Sequence, residues 1–395
     1  MRYLEFSIIL LAFAIFTISC GEKEKSKIVE ETSMESEVPE QIIIELDEFS
    51  KAKNSITGFS YIDNYYYFYN DFNQSLYFYS LDKDINTPEK IVKVPLDESI
   101  NFRSVSEVYI HSMDSIFIFS NYGYEGSISD VFIINDKSEV LGTFDLLNGH
   151  NKDPNKFSKT HAVNGSTMFY HEGKVILPVA INAHTDVSKY KPLFIYDLAE
   201  RKGDYYGEYP ASFELKKYSN ETYKLYTSLI PELGKVYFSF PYESNLYSFD
   251  LSDYTWDEIH FESDLVAQPT AFEGGEGIDH TYYYLTNSWY NGLYFDKASN
   301  SLLRLAQIGQ RYGRNDPPPV WPNETNYNSL NGDKIYYQAF EIDLERGDYS
   351  VISDMNLYFA KFFHPKYGPY RISEINEELG LDPEDYVVFT PMMEN

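Results

Sequence analysis

Tyr65–Asn70 reads YYYFYN and Leu76–Leu81 reads LYFYSL, two aromatic runs separated by the short polar stretch DFNQS. Tyr and Phe favour strands because their rings pack on a pleated surface, and two such runs joined by a few turn residues read as a β-hairpin. The unit recurs. Ile116–Asn121 (IFIFSN) is followed by Val131–Asn135 (VFIIN), Lys174–Val179 (KVILPV) by Leu193–Leu198 (LFIYDL), and Lys235–Phe240 (KVYFSF) by Leu246–Leu251 (LYSFDL). Tyr282–Asn287 (YYYLTN) with Leu293–Asp296 (LYFD) reads as a fifth unit, and Lys334–Phe340 (KIYYQAF) with Tyr349–Ser353 (YSVIS) as a sixth. With Tyr67, Phe117, Ile176, Tyr237, Tyr283 and Tyr336 as markers, the steps are about 50, 59, 61, 46 and 53 residues. A strand-built period near 50 is the sequence signature of a β-propeller.

Between hairpins there is room for two more strands per unit. Ile91–Pro95, Val140–Phe144, Trp256–Phe261 and Leu302–Ile308 read as outer strands, and Ile56–Ile62, Ser106–His111 and Thr222–Leu229 as inner ones. Four strands in each of six units predicts an all-β, six-bladed propeller over residues 42–395, with seven blades as the alternative. Ile42–Leu46 (IIIEL) and Tyr386–Pro391 (YVVFTP) are strand-like ends left over, expected to close the ring by completing a shared blade. A β-sandwich competes poorly, because sandwiches turn every 8–12 residues or so without a blade-length repeat. Composition agrees: 43% of residues are hydrophobic and 17% aromatic, with 38 Tyr and 28 Phe. That is enough apolar material for a large core.

The first 41 residues stand apart. Arg2 precedes an uncharged run, Phe6–Ile18, whose thirteen residues span roughly 20 Å as a helix, short of the roughly 30 Å hydrocarbon core. This reads as a signal peptide over residues 1–19 rather than a membrane span. The run ends at Thr17-Ile18-Ser19-Cys20-Gly21, which resembles the bacterial lipobox, although Thr17 stands where Leu is usual. The resemblance implies cleavage before Cys20 and lipidation of that residue. Cys20 is the sole cysteine, so no intrachain disulfide exists and the body is stabilised by packing. Gly21 in place of Asp implies the outer membrane. Residues 20–41 carry many charges and no aromatic, so they read as a tether for the body. The expected address is the cell envelope, with the lipid on Cys20 as the contact with the membrane.

The lipobox, the tether and the Tyr-rich propeller pattern together resemble uncharacterised Bacteroidota lipoproteins that carry a six-bladed propeller domain of unknown function. The resemblance covers roughly residues 42–395 and is most telling from Lys334-Ile335-Tyr336-Tyr337 through Tyr386–Pro391. It brings fold and address, and no catalytic residues.

A net charge of −29 repels phosphate backbones, and no basic stripe offsets it, so nucleic acid is excluded as a partner. No nucleophile elbow, phosphate-binding glycine loop or paired-histidine zinc motif occurs. No catalytic residue, metal ligand or cofactor is therefore assigned. His150, His161 and His184 are too widely spaced for a metal site, and His171 falls at a turn on the other face. The glycine loop Glu273–His280 lacks the calcium-loop spacing. The Asp residues ending the Leu-aromatic-x-aromatic-Asp motif, Asp197 and Asp250, read as turn formers.

Alternating strand direction puts the 2–3 turns and the 4–1 connections on one face of a propeller. Most long segments fall there: Tyr122–Asp130, Asn148–Thr160, Asn182–Lys191, Ala211–Glu221 and Gln310–Thr325. Binding residues gather on such loops. On that rim Trp289, Tyr290 and Asn291, read as a 2–3 turn, join Arg311, Arg314 and Trp321 as the expected ligand-binding set, since Trp and Arg together stack on a sugar ring or hold a carboxylate. The expectation is a non-enzymatic binder of a protein, peptide or glycan. The alternative is a polysaccharide hydrolase or lyase, which needs two carboxylates roughly 5–10 Å apart.

Overall fold

A computed structural model describes residues 41–50, 56–62, 65–81, 85–95, 105–121, 128–146, 168–179, 191–210, 225–261, 263–266, 287–308, 336–344, 346, 348–352, 360–373 and 380–392. Pro39–Asn395 form one compact unit. Its strands make six separate sheets of four or five strands, the blades of a β-propeller.

From inside outward, blade one is Ile56–Ile62, Tyr65–Asn70, Ser75–Ser80 and Lys90–Lys93. Blade two is Val105–Ser112, Ser115–Asn121, Ile128–Ile134 and Val140–Asp145. Blade three is Phe169–His171, Lys174–Pro178, Leu193–Asp197 and Lys202–Tyr206. Blade four is Tyr226–Ile230, Lys235–Ser239, Leu246–Asp250 and Trp256–Ile259. Blade five is Trp289–Asp296, Ser301–Ile308, Tyr336–Asp343 and Tyr349–Ile352. Blade six combines Ala360–His364, Gly368–Ser373 and Tyr386–Pro391 with the N-terminal strand Ile42–Glu45.

The ring closes where expected. Ile42–Glu45 pairs antiparallel with Tyr386–Pro391, Ile44 opposite Val387, so chain beginning and chain end share one blade. A short strand, Ile85–Asn86, adds parallel to its outer edge.

The aromatic runs make sense as strands buried on both faces. Tyr66 and Phe68 point into a cluster with Ile44, Tyr370 and Phe389 of blade six, whereas Tyr67 and Tyr69 point into a cluster with Val108, Ile116 and Phe132 of blade two. The pleat alternates side chains, and each face meets a different neighbour. The pattern continues round the ring: Phe117 and Phe119 meet Val175 and Phe194, Ile176 and Ile195 meet Val236 and Phe238, and Tyr226 and Tyr237 meet Leu293 and Phe340. The last interface, Tyr294 and Leu303 against Ala360 and Phe363, joins blade five to blade six. Six sheets are thus sealed by six apolar interfaces.

Blades five and six divide the chain differently from the sequence expectation. Leu293–Asp296 belongs to the first strand of blade five, and Lys334–Phe340 with Tyr349–Ser353 supplies its third and fourth, instead of a sixth blade. Leu302–Ile308 is an inner second strand, not an outer one. The physical reason is the connection 309–335 between strands two and three, whose 27 residues separate two halves of one sheet by about half a blade period. The run Tyr282–Asn287, expected as the opening strand of the fifth unit, lies outside the described residues except for Asn287.

Candidate functional site

Strand direction fixes two faces. In blade five the first strand starts at Trp289 opposite Gln307 and ends at Asp296 opposite Ser301. Residues 309–335 therefore leave and rejoin the sheet at the end where Trp289 begins, which is also where every 4–1 connection arrives. At this face, the long-connection face, the second strands of blades two, three and five end at Asn121, Pro178 and Ile308, and the third strands begin at Ile128, Leu193 and Tyr336. The opposite face carries tight turns such as Glu172-Gly173, where both residues take positive φ (44° and 81°) and a Gly meets the demand without strain.

Trp289, Tyr290 and Asn291 open the first strand of blade five and are not a 2–3 turn. Trp289 is 7% exposed and stands edge-on to Tyr242 at 6.3 Å between centroids, and Tyr290 is 3% exposed. Arg311, Arg314 and Trp321 lie outside the described residues, as do Cys20, His150, His161, His184 and the 273–280 loop. Arg311, Arg314 and Trp321 belong by chain order to the connection between Ile308 and Tyr336.

The same face carries an aromatic pair that the sequence reading passed over. Phe49 follows the closing strand of blade six, and Phe72 sits in the 2–3 turn of blade one. Their rings are stacked at 6.5 Å with an interplanar angle of 27°, and they are 42% and 71% exposed. The backbone beneath is well held. Asn70 donates from Nδ2 to the Phe49 carbonyl at 3.0 Å and accepts the Phe72 N–H on Oδ1 at 2.9 Å. Tyr77 donates its hydroxyl to Asp47 at 2.8 Å. Burial, then that carboxylate, raises the Tyr77 pKa, so the phenol stays a donor at neutral pH.

Behind Trp289 and Tyr290 lies Arg304, a fully buried arginine in the second strand of blade five. Its Nε donates to Ser239 Oγ at 2.9 Å, one terminal nitrogen to the Glu243 carbonyl at 2.7 Å and the other to the Ser244 carbonyl. The guanidinium carbon sits 3.3 Å from the Tyr290 ring centroid and 5.0 Å from that of Phe261. Burial pushes the group down to about 9, which leaves it charged at neutral pH. Arg304 thus ties the 2–3 turn of blade four to blade five, and Tyr290 serves as its aromatic floor.

On the opposite face, blade five holds a cleft of about 420 Å³ lined by Ser299, Asn300, Ser301, Glu341, Asp343, Arg346, Asp348, Tyr349 and Ser350. At its base three polar contacts run between two carboxyls: Ser299 Oγ lies 3.0 Å from Asp296, the Ser299 and Ser301 hydroxyls are 2.6 Å apart, and Ser301 Oγ lies 3.0 Å from Glu341; the two hydroxyl protons fill two of the three contacts, and the third needs a proton on a carboxyl. Burial raises the Asp296 pKa, with the Glu341 charge adding to the rise and bonds from Ser299 and Ala298 opposing it. Among the described residues no cluster of three or more His, Cys, Asp or Glu has metal-binding geometry. Asp197 and Asp250 behave as turn formers: Asp197 Oδ1 accepts the N–H groups of Ala199 and Glu200, and Asp250 Oδ1 that of Ser252.

No family model matches the sequence, and no curated protein does. Among solved structures the chain is similar to a member of the DUF4221 family from Bacteroides vulgatus, at 15% identity and a TM-score of 0.61, covering 89% of this chain and 95% of that one. It is also similar to a protein from Bacteroides fragilis predicted to be exported, at 10% identity and a TM-score of 0.50, covering 90% and 95%. At such identities the likeness is one of fold. Among the described residues no helix is long and apolar enough to cross a membrane.

Proposed function

We propose that the chain is an exported lipoprotein of the cell envelope, held at the outer membrane through Cys20, whose propeller binds a protein, peptide or glycan on its long-connection face. Support for the anchor is the Ile18-Ser19-Cys20-Gly21 sequence at the end of the apolar run. The observation that carries the binding reading is the stacked, exposed Phe49–Phe72 pair, held from beneath by Asn70 on the face that also receives the 309–335 connection. A large exposed ring costs apolar surface in water, and a ligand face is where that cost is recovered. The ligand set is Phe49, Phe72, Arg311, Arg314 and Trp321, with Trp289, Tyr290 and Asn291 supporting it from the strand behind. No catalytic step is assigned.

The test uses the full chain in detergent on glycan and peptide arrays, beside Phe72→Ala and Trp321→Ala. Phe72 is 71% exposed, so its removal leaves the core intact. At least a tenfold loss of binding in either variant is expected. A ligand that binds both variants as well as the parent, on a chain whose Cys20→Ala form still takes up labelled palmitate, would sink the proposal.

A further inference from the structure

The blade-five cleft lies on the face of tight turns, away from the long connections, and its contents differ in kind from the aromatic rim. Three features combine. Its volume of about 420 Å³ falls within the roughly 300–1,000 Å³ of small-molecule sites. Its wall mixes hydroxyls and an amide (Ser299, Asn300, Ser301, Ser350) with carboxylates (Glu341, Asp343, Asp348) and a single guanidinium, Arg346. Asp343 accepts from Arg346 Nε at 2.7 Å and lies 2.6 Å from a terminal nitrogen, which sets the fork of that otherwise exposed side chain. The remaining wall is Tyr349, a 41% exposed ring backed by Phe261 at 4.6 Å and Phe340 at 6.0 Å.

Each feature restricts the ligand. Three carboxylates against one guanidinium repel a phosphate or carboxylate ligand. The Asp296–Ser299–Ser301–Glu341 row uses its hydroxyl protons internally and presents oxygen lone pairs side by side, suited to accept from a partner with several adjacent hydroxyl groups. A supported aromatic ring at the edge offers a flat apolar face, which the C–H side of a sugar ring covers. We propose that this cleft is a second binding site, for a neutral saccharide, with Glu341 and the serines taking its hydroxyls and Tyr349 its ring face. The site is independent of the long-connection face, so the two readings fail separately.

The experiment titrates cellohexaose, xylohexaose, mannohexaose and maltohexaose into the full chain in detergent, with saturation-transfer NMR and calorimetry as readouts. Glu341→Gln keeps the shape and removes the charge; Tyr349→Leu keeps the apolar cover over Phe261 and removes the ring. At least one saccharide is expected to bind, with affinity lowered at least tenfold in both variants and unchanged in Leu141→Ala, an exposed position on the outer strand of blade two that belongs to neither proposed site. Binding of none of the four overturns the proposal. So does binding that survives both cleft variants, or that disappears only in Phe72→Ala. Should Glu341→Gln fail to fold, Tyr349→Leu alone decides, since Tyr349 is already 41% exposed and Leu still covers Phe261.

Discussion

Replacing Arg304 by Met asks whether a buried charge holds this propeller together or merely burdens it. Both side chains are long and unbranched enough to fill the space, so the change isolates the guanidinium. Its loss leaves the Glu243 and Ser244 carbonyls without their donor and frees Ser239 Oγ, a hydroxyl able to turn elsewhere. Two stranded carbonyls cost about 1–3 kcal/mol each, and the contact with the Tyr290 face adds about 1–2 kcal/mol. Against this, Met escapes the desolvation that drags the Arg304 pKa down to about 9 and that makes some buried charges replaceable by apolar groups at no loss. The bonds outnumber the penalty here because every one of the three nitrogens is used, and we expect a net loss of about 3 kcal/mol. Arg304→Lys should recover little of it, since an ammonium does not reproduce the fork. The measurement is urea unfolding of parent and variants followed by tryptophan fluorescence. Because folding depresses this pKa, the folded chain holds fewer protons than the unfolded one only from about pH 9 up to the ordinary guanidinium value, and stability from this group rises with pH only there. The difference between parent and Met variant should therefore be flat across roughly pH 6–8. A Met variant as stable as the parent would refute the reasoning and make Arg304 a tolerated burden.

Ile44 is fully buried in the strand that closes the ring, opposite Val387 and packed with Tyr66 and Phe389. Ile44→Ala should cost about 2–4 kcal/mol, read by the same unfolding assay; a loss under about 1 kcal/mol would mean the ring does not depend on its N-terminal strand. His364, half-buried beneath the Tyr367 ring, is pushed down to about 4, by burial first and the Lys366 charge second. The unfolded chain takes up this proton near pH 6.5 and the folded chain only near 4, so stability falls as pH drops through that window. His364→Gln should flatten this part of the acid limb, and an unchanged limb would show that the histidine is not buried as described.

Four blades and the closure were legible in the sequence because aromatic strands buried on both faces leave continuous apolar runs, and Tyr65–Asn70, Ile116–Asn121, Lys174–Pro178 and Lys235–Ser239 each carry one. Counting a period failed at blade five, where 309–335 interrupts one sheet and imitates the gap between two. A signal was available. Ser301–Ile308 reads SLLRLAQI and is buried at every position but the last, the mark of an inner strand, whereas the true outer strand Val140–Asp145 has no fully buried position, its residues being exposed or half-buried. Blade six hid itself for the opposite reason, since AKFFH and GPYRIS dilute their apolar residues with Lys, Pro, Arg and His. The rim was legible as a face, because strand direction alone assigns loops to it. Its packing was not: Trp289 and Tyr290 look like ligand residues in a sequence and are buried in the structure, and only coordinates show that Tyr290 floors a buried Arg304.

The tight-turn face owes its regularity to one device, and the cleft to a local doubling of it. In blades two to five the third strand ends in Asp197, Asp250 or Asp343 or is followed directly by Asn135, and each of these side chains accepts backbone N–H groups of the following turn: Ala199 and Glu200, Ser252, Arg346, and Lys137 and Glu139 respectively. Such turns are short because the side chain replaces a backbone partner, and they leave that face little irregular chain from which to build a site. Among the described residues of these blades, blade five alone adds a second turn of the kind at the end of its first strand, where Asp296 accepts the Ala298 N–H at 3.0 Å. With the 1–2 and 3–4 turns of one blade both held by aspartate, the space between them is bounded by fixed walls, and Ser299, Ser301 and Glu341 line it in a hydrogen-bonded row. The rigidity that makes this face unpromising elsewhere is what gives the cleft a defined shape, and a site of fixed shape binds without paying to order its own loops.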